Sequence, residues 1–325
     1  MKSIFVLSLL LLTLPVWVPD FRKDKMTVFA SLSYYKCDFD ADKKEDLALW
    51  HPKTNTLYFQ LTSDGKFYEK KFFDAELNYS PVFADYDGDG KTDFAFYQVE
   101  SGQWIFYLSK EGLQKTFLGG ISDIPIPTDI NGDMIYSLSI WRPNAGLWVL
   151  TEKTKSIQSD DSEPEIIPEG NFQDSAFSGD YDGDGKSDLI VWRPDDGYWH
   201  VVRSRTGFDF EQSDHIQHGK EWDIIVPNDY DNDGRCDLVF WRPSEQTWYF
   251  LYAGSQNQNQ IKFGEKNDIP LSADLDSDGS PELITWNAVK KSWNILNLKK
   301  HESNSYKWDV PEGCIPAVSI IQKYE

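Results

Sequence analysis

Nine residues, Asp180-Tyr-Asp-Gly-Asp-Gly-Lys-Ser-Asp188, place carboxylates at positions 1, 3, 5 and 9 and a glycine at position 6. Oxygen donors at that interval wrap around one hard cation, and the glycine permits the sharp turn, as in the first half of a calcium-binding helix–loop–helix site. The chain then continues Leu-Ile-Val-Trp-Arg-Pro. That is a β-rich apolar run, so the ninth position closes the site and a strand leaves it. The motif is written six times, with first aspartates 47, 44, 51, 49 and 45 residues apart. Five copies are well formed. Their candidate ligands are Asp38, Asp40, Asp42 and Asp46; Asp85, Asp87, Asp89 and Asp93; Asp180, Asp182, Asp184 and Asp188; Asp229, Asp231, Asp233 and Asp237; and Asp274, Asp276, Asp278 and Glu282. The third copy keeps Asp129, Asn131 and Asp133, but has Met134 where glycine belongs and Ser137 where the closing carboxylate belongs. The first has Lys43 in place of glycine. The expectation is calcium at about five sites, weak or absent at the third; magnesium, which wants fewer protein oxygens and strict octahedral geometry, fits less well.

Charge supports that reading. The 325 residues carry a net charge of −21, yet 22 of the 53 acidic side chains occupy loop positions, leaving 31 against 32 Lys and Arg. The acidity therefore belongs to the loops, where about four carboxylates repel one another until a cation joins them. Five divalent ions would bring the formal charge to −11. No basic stripe is left to neutralise phosphates, which excludes nucleic acid as a partner.

The elements that carry these loops repeat with them. A short stretch such as Asp123-Ile-Pro-Ile-Pro-Thr128 leads into each loop. Four residues past the ninth position stands an aromatic: Trp50, Tyr97, Trp141, Trp192, Trp241 or Trp286. A turn comes next, and eleven residues past the ninth position stands Trp104, Trp148, Trp199, Trp248 or Trp293, with Leu57 in the first copy. A variable strand ends the unit. Four short strands per unit of about 47 residues is the pattern of a propeller blade. The fold class is thus all-β, a β-propeller of about seven blades, with six the other count. Ile315-Pro316 matches Ile124-Pro125, so the C-terminus opens one further unit, and strands from both termini would close the ring.

The aromatic pairs are read as core wedges, with sugar-stacking platforms as the competing use. Arg142, Arg193 and Arg242, which follow the Trp in three units, are read as rim contacts or inter-blade ion pairs. The five histidines show no metal-ligand spacing and are placed at the surface. Cys37, Cys236 and Cys314 make no disulfide framework; Cys37 and Cys314 fall about five residues, ~17 Å, apart in register, too far for a bond.

Residues 1–25 begin Met-Lys and then run apolar from Ser3 to Val18, which reads as an export signal and is too short to span a bilayer. The alternative is that Ile4–Leu12, Pro15–Val18 and Thr27–Ala30 are strands of a split seventh unit. Residues 26–325 form the propeller.

The loop consensus, the strand ending Trp-Arg-Pro and the upstream Asp-Ile-Pro-x-Pro together resemble the FG-GAP/VCBS repeats of bacterial surface and secreted proteins. They also resemble the calcium-loop blades of integrin α-subunit heads and some fungal lectins. The resemblance covers roughly residues 31–322. It implies calcium held by the loop aspartates between the first and second strands of each blade. Such folds host many functions. The expected function is an exported, monomeric, lectin-like binding or adhesion module, secreted, periplasmic or at the cell surface, for a glycan or an extracellular protein. The alternatives are a polysaccharide lyase or hydrolase with its site over the central channel, or a purely structural surface-assembly domain. No catalytic constellation is readable in the sequence.

Overall fold

The computed structural model describes residues 27–31, 37–74, 77–151, 164–171, 174–317 and 319–323. The export-signal stretch 1–25 lies outside them. Among the described residues, twenty-six strands occur in chain order. The first is β1 (Thr27–Ser31), followed by β2 (Leu47–His51), β3 (Thr56–Gln60) and β4 (Phe67–Lys71). Next come β5 (Tyr79–Pro81), β6 (Phe94–Gln98), β7 (Gln103–Leu108) and β8 (Gly112–Phe117), then β9 (Ile124–Pro125), β10 (Ser139–Arg142), β11 (Leu147–Leu150) and β12 (Glu165–Ile167). After these are β13 (Ser175–Gly179), β14 (Asp188–Arg193), β15 (Tyr198–Val202) and β16 (Asp214–Gln217), then β17 (Ile224–Ile225), β18 (Leu238–Arg242), β19 (Thr247–Leu251) and β20 (Gln258–Lys262). The last six are β21 (Ile269–Ala273), β22 (Glu282–Asn287), β23 (Ser292–Asn297), β24 (Glu302–Lys307), β25 (Ile315–Pro316) and β26 (Ser319–Lys323).

All but β1 and β26 form six antiparallel four-stranded blades, a six-bladed propeller. Blades 2 to 6 start at β5, β9, β13, β17 and β21 and run in sequence order. Blade 1 takes its inner strand from the other end of the chain: Ile315 and Pro316 of β25 lie opposite Trp50 and Leu49 of β2. The Ile-Pro segment expected to open a further unit therefore closes the first one, and the count is six. β1 pairs antiparallel with β26 and runs parallel to β17 at Ala30 opposite Ile225, so this ribbon extends the inner edge of blade 5. Thr27–Ala30 is thus strand, but in no seventh blade. Among the described residues there is no α-helix, only two single 3-10 turns, and no helix is long and apolar enough to cross a membrane.

The aromatic spacing becomes cross-strand pairing. Trp141 faces Trp148, Trp192 faces Trp199, Trp241 faces Trp248 and Trp286 faces Trp293 across the second and third strands, as Tyr97 faces Trp104. All ten rings are buried, so they are core and not sugar platforms. Clusters span neighbouring blades: Phe177, Ile190 and Trp199 of blade 4 pack with Ile225, Leu238 and Phe240 of blade 5. The wedge between sheets is wide, and large flat side chains fill it.

Candidate metal centres

In blades 2 to 6 the acidic loop joins the first and second strands, where the resemblance implied; in blade 1 it leads into β2, whose inner partner β25 comes from the other end of the chain. In the fourth loop, Asp180 Oδ1 accepts from the Gly183 and Asp184 N–H groups at 2.6 and 3.1 Å, and Oδ2 from Gly185 at 2.8 Å. Asp184 Oδ1 accepts from Lys186 N–H at 2.9 Å. Asp188, the closing residue, accepts from Tyr181 N–H at 3.0 Å and from Ser204 N–H at 2.8 Å. The fifth loop repeats this with Asp229, Asp233 and Asp237. These bonds wind the chain so that the carboxylates converge.

Winding requires positive φ at two positions, not one. Position 6 has it, at Gly90, Gly185, Gly234 and Gly279, and so does position 4 in every loop. Lys43 and Met134 adopt the same conformation at 72° and 62° without the freedom of glycine. Loops 1 and 3 therefore keep the backbone shape despite their departures, with some local strain. What loop 3 lacks is ligands.

Five groups of carboxylate oxygens lie within 4.8 Å of one another: Asp38, Asp40 and Asp42; Asp85, Asp87 and Asp93; Asp180, Asp182 and Asp188; Asp229, Asp231 and Asp237; and Asp274, Asp276 and Asp278. Among the described residues, the Asp129, Asn131 and Asp133 loop forms no such group. The fit to a cation has a second support. Asp87 Oδ1, Asp182 Oδ1 and Asp276 Oδ1, all at position 3, are buried without a hydrogen-bond partner. A carboxylate oxygen removed from water needs a donor or a cation, and a hard cation at the convergence point meets that need. In loop 4 the other oxygen of Asp182 is already taken by Arg205, and in loop 6 that of Asp276 by Lys300.

Burial is the largest influence on the closing carboxylates. It pushes Asp46 up to about 6 and Asp93, Asp188, Asp237 and Glu282 up to about 7, with neighbouring carboxylates adding to the rise and backbone N–H donors opposing it. The same balance raises Asp38, Asp85, Asp129, Asp180 and Asp229 above the usual range.

The loops also join the blades. The N–H of the eighth loop residue donates to the carbonyl of the first aspartate in the preceding loop. The pairs are Thr92 to Asp38, Tyr136 to Asp85, Ser187 to Asp129, Cys236 to Asp180 and, across the closure, Glu45 to Asp274. The sixth joint has Pro281 at position 8, which lacks an N–H, and there Ser280 Oγ donates to the Tyr230 carbonyl at 2.7 Å. A cavity of about 590 Å³ opens inside this circle, bordered by all six first aspartates together with Glu45, Lys91, Tyr136 and Lys186. Its lining holds no histidine.

The profile of the FG-GAP-like repeat matches residues 38–96 and 229–285, each running from the acidic loop of one blade through its outer three strands to the second strand of the next, blades 1 to 2 and 5 to 6. The chain carries FG-GAP-like repeats. No curated protein matches the chain in sequence. In fold, the chain is similar to an Agrocybe aegerita lectin that recognises non-reducing terminal N-acetylglucosamine, with TM-score 0.55 and 10% identity over 79% of this chain and 74% of that one. It is also similar to a catalytically inactive virginiamycin B lyase from Staphylococcus aureus with quinupristin (TM-score 0.50, 10% identity, 88% and 90% covered) and to a streptogramin B lyase (TM-score 0.50, 10% identity, 88% and 89% covered). At such identities the likeness concerns the fold alone.

Two expectations for side chains are corrected. Arg142, Arg193 and Arg242 pair within their own blade, with Asp123, Asp174 and Asp223 just before the inner strand. His51 and His200 are buried, and His218 is half-buried; only His215 and His301 are exposed. The three cysteines are free and buried, as the register required of Cys37 and Cys314. Neither the position-4 turn nor the position-8 joint was anticipated. The first had a signal in Gly88, Gly132, Gly183 and Asn232, whereas a backbone donor leaves none in the sequence.

Proposed function

We propose that this chain is an exported, monomeric propeller that uses calcium at about five loops to hold a binding surface for a glycan or an extracellular protein. The carrying observation is the buried, unpartnered oxygen of Asp87, Asp182 and Asp276 inside carboxylate clusters. The chain's residues would bind and enclose the ion; when bound, it supplies charge neutralisation and stiffens the loop, with no reaction step. Export is supported by the apolar stretch from Ser3 to Val18 and by the match of millimolar extracellular calcium to modest oxygen sites.

For the ligand, support comes from a cavity of about 420 Å³ between blades 6 and 1. Its floor is Leu47, Leu61, Leu275 and Ile295, and its polar border includes Gln60, Asn297 and Asn304. Tyr306, half exposed, offers an aromatic face there. Hydroxyl-pairing amides beside an aromatic ring are what a sugar needs. The test begins with calorimetric calcium titration of chelator-treated protein, followed by a glycan array in calcium. About five sites, and array binding weakened tenfold or more by Tyr306→Ala, are expected. No calcium uptake would remove the metal reading. Calcium uptake with no glycan bound, and a protein captured at this gap instead, would select the protein ligand.

A further inference from the structure

Outside the acidic loops, one cluster carries donors of a different kind. The register of β15 and β16 places His215 directly opposite His200, with ring centroids 4.6 Å apart. Trp199 and Val201 point toward blade 5, so alternation turns His200 toward blade 3, the side on which Val202 joins a cluster with Ile167 of blade 3. Glu169, two residues after β12, approaches from that side, with Oε1 3.3 Å from His200 Nδ1. We propose that His200, His215 and Glu169 form a site for a borderline transition-metal ion such as Zn²⁺, between blades 3 and 4.

His200 is only 5% exposed, and both of its ring nitrogens lack a hydrogen-bond partner. An imidazole always presents two polar nitrogens, and burying both unmatched is unfavourable. The Nδ1 to Oε1 distance exceeds a good N–H···O bond. It does equal the separation of two donors on a tetrahedral ion, about 3.3 Å when bonds are about 2.0–2.1 Å. The three donors do not all lie within 4.8 Å of one another as placed, so His215 turns inward from the neighbouring strand to supply the third. It is exposed and free to turn, and its Nε2 lies 3.0 Å from Ser213 Oγ, which leaves Nδ1 for the metal. The nearby carboxylates are committed elsewhere, Asp174 to Arg193 and Asp214 to Arg203. Two imidazoles and one carboxylate select zinc, copper or nickel over calcium and magnesium, so the site is chemically separate from the loops. A water completes the tetrahedron.

The experiment titrates Zn²⁺ into the full chain, without a polyhistidine tag and in saturating calcium, by calorimetry, with Co²⁺ absorption reporting tetrahedral geometry. One equivalent should bind. His215→Ala, at an exposed position that leaves folding intact, should weaken binding by at least about 10–100-fold, since even outer-shell losses cost that much. His200→Gln and Glu169→Gln should weaken it too; if His200→Gln fails to fold, His215→Ala decides alone. The proposal is overturned by no zinc binding in the wild type, by unchanged binding in His215→Ala, or by zinc that calcium displaces, which would place it in the aspartate loops.

Discussion

Asp188 carries two opposed demands. It is fully buried and accepts two backbone N–H bonds, which suits an anion, yet burial beside Asp182 pushes its pKa up to about 7. Asp93, Asp237 and Glu282 share this position and shift. Because each folded-state value lies above the unfolded one, the stability these groups contribute is fully present at low pH and is lost as pH rises through about 7. Chelator-treated protein should therefore melt several degrees higher near pH 6 than near pH 8, and saturating calcium, which favours the ionised form, should remove or reverse that difference. His218 opposes part of it: half-buried against Phe240 and held down to about 4, it costs stability as pH falls below its unfolded value. Scanning calorimetry at both pH values, with and without calcium, checks the sign. Metal-free protein that is more stable near pH 8 would mean that the closing carboxylates are ionised at no cost.

At the scale of the element, the inner strand is the shortest part of blades 1, 3 and 5. β9, β17 and β25 have two residues each, and proline in or beside them limits their hydrogen bonds. The ion pair at the base of the blade compensates. Arg242 Nε and Nη2 both donate to Asp223 at 2.7 Å, with Asp223 almost wholly buried. Blade 6, lacking the arginine, uses Asn287 Nδ2 on Asp268, and blade 1 uses His51 Nε2 on the Glu312 carbonyl. Arg242→Ala leaves a buried carboxylate unpaired and should cost about 3–5 kcal/mol, whereas the Asp223→Ala, Arg242→Ala double variant should cost less than the single arginine loss. Denaturant unfolding of the cycle measures it; a double variant as unstable as the sum of the two would show no coupling. The arginines and their aspartates were visible as recurring residues, but the strand that brings each pair together was not, because 19 residues and a loop separate them.

The whole molecule is a ring with one seam. β25 seals it by pairing with β2, and Cys314 and Ala317 pack into the clusters on either side of blade 1. Ending the chain after Val310 removes that strand and exposes the edge of β2. Such a protein should lose cooperative melting, or melt well below the full chain, and associate in size-exclusion chromatography; an unchanged melting temperature would mean that the seam contributes nothing.

Periodicity, loop ligands and aromatic partners were legible because each lies within one unit of about 47 residues, where local turn preference and alternation specify the geometry. Six copies of one unit imply a propeller. Three features depended on contacts between units. The blade count was settled by where Ile315-Pro316 pairs, which depends on the angle between sheets and not on any residue. The circle of position-8 joints uses backbone groups that nearly every residue possesses. His200 and His215, fifteen residues apart, meet only because one strand register sets them opposite each other, and Glu169 joins them only because blade 3 packs on blade 4. Non-local pairing is decided by closure and packing, and those exist only once the ring is complete.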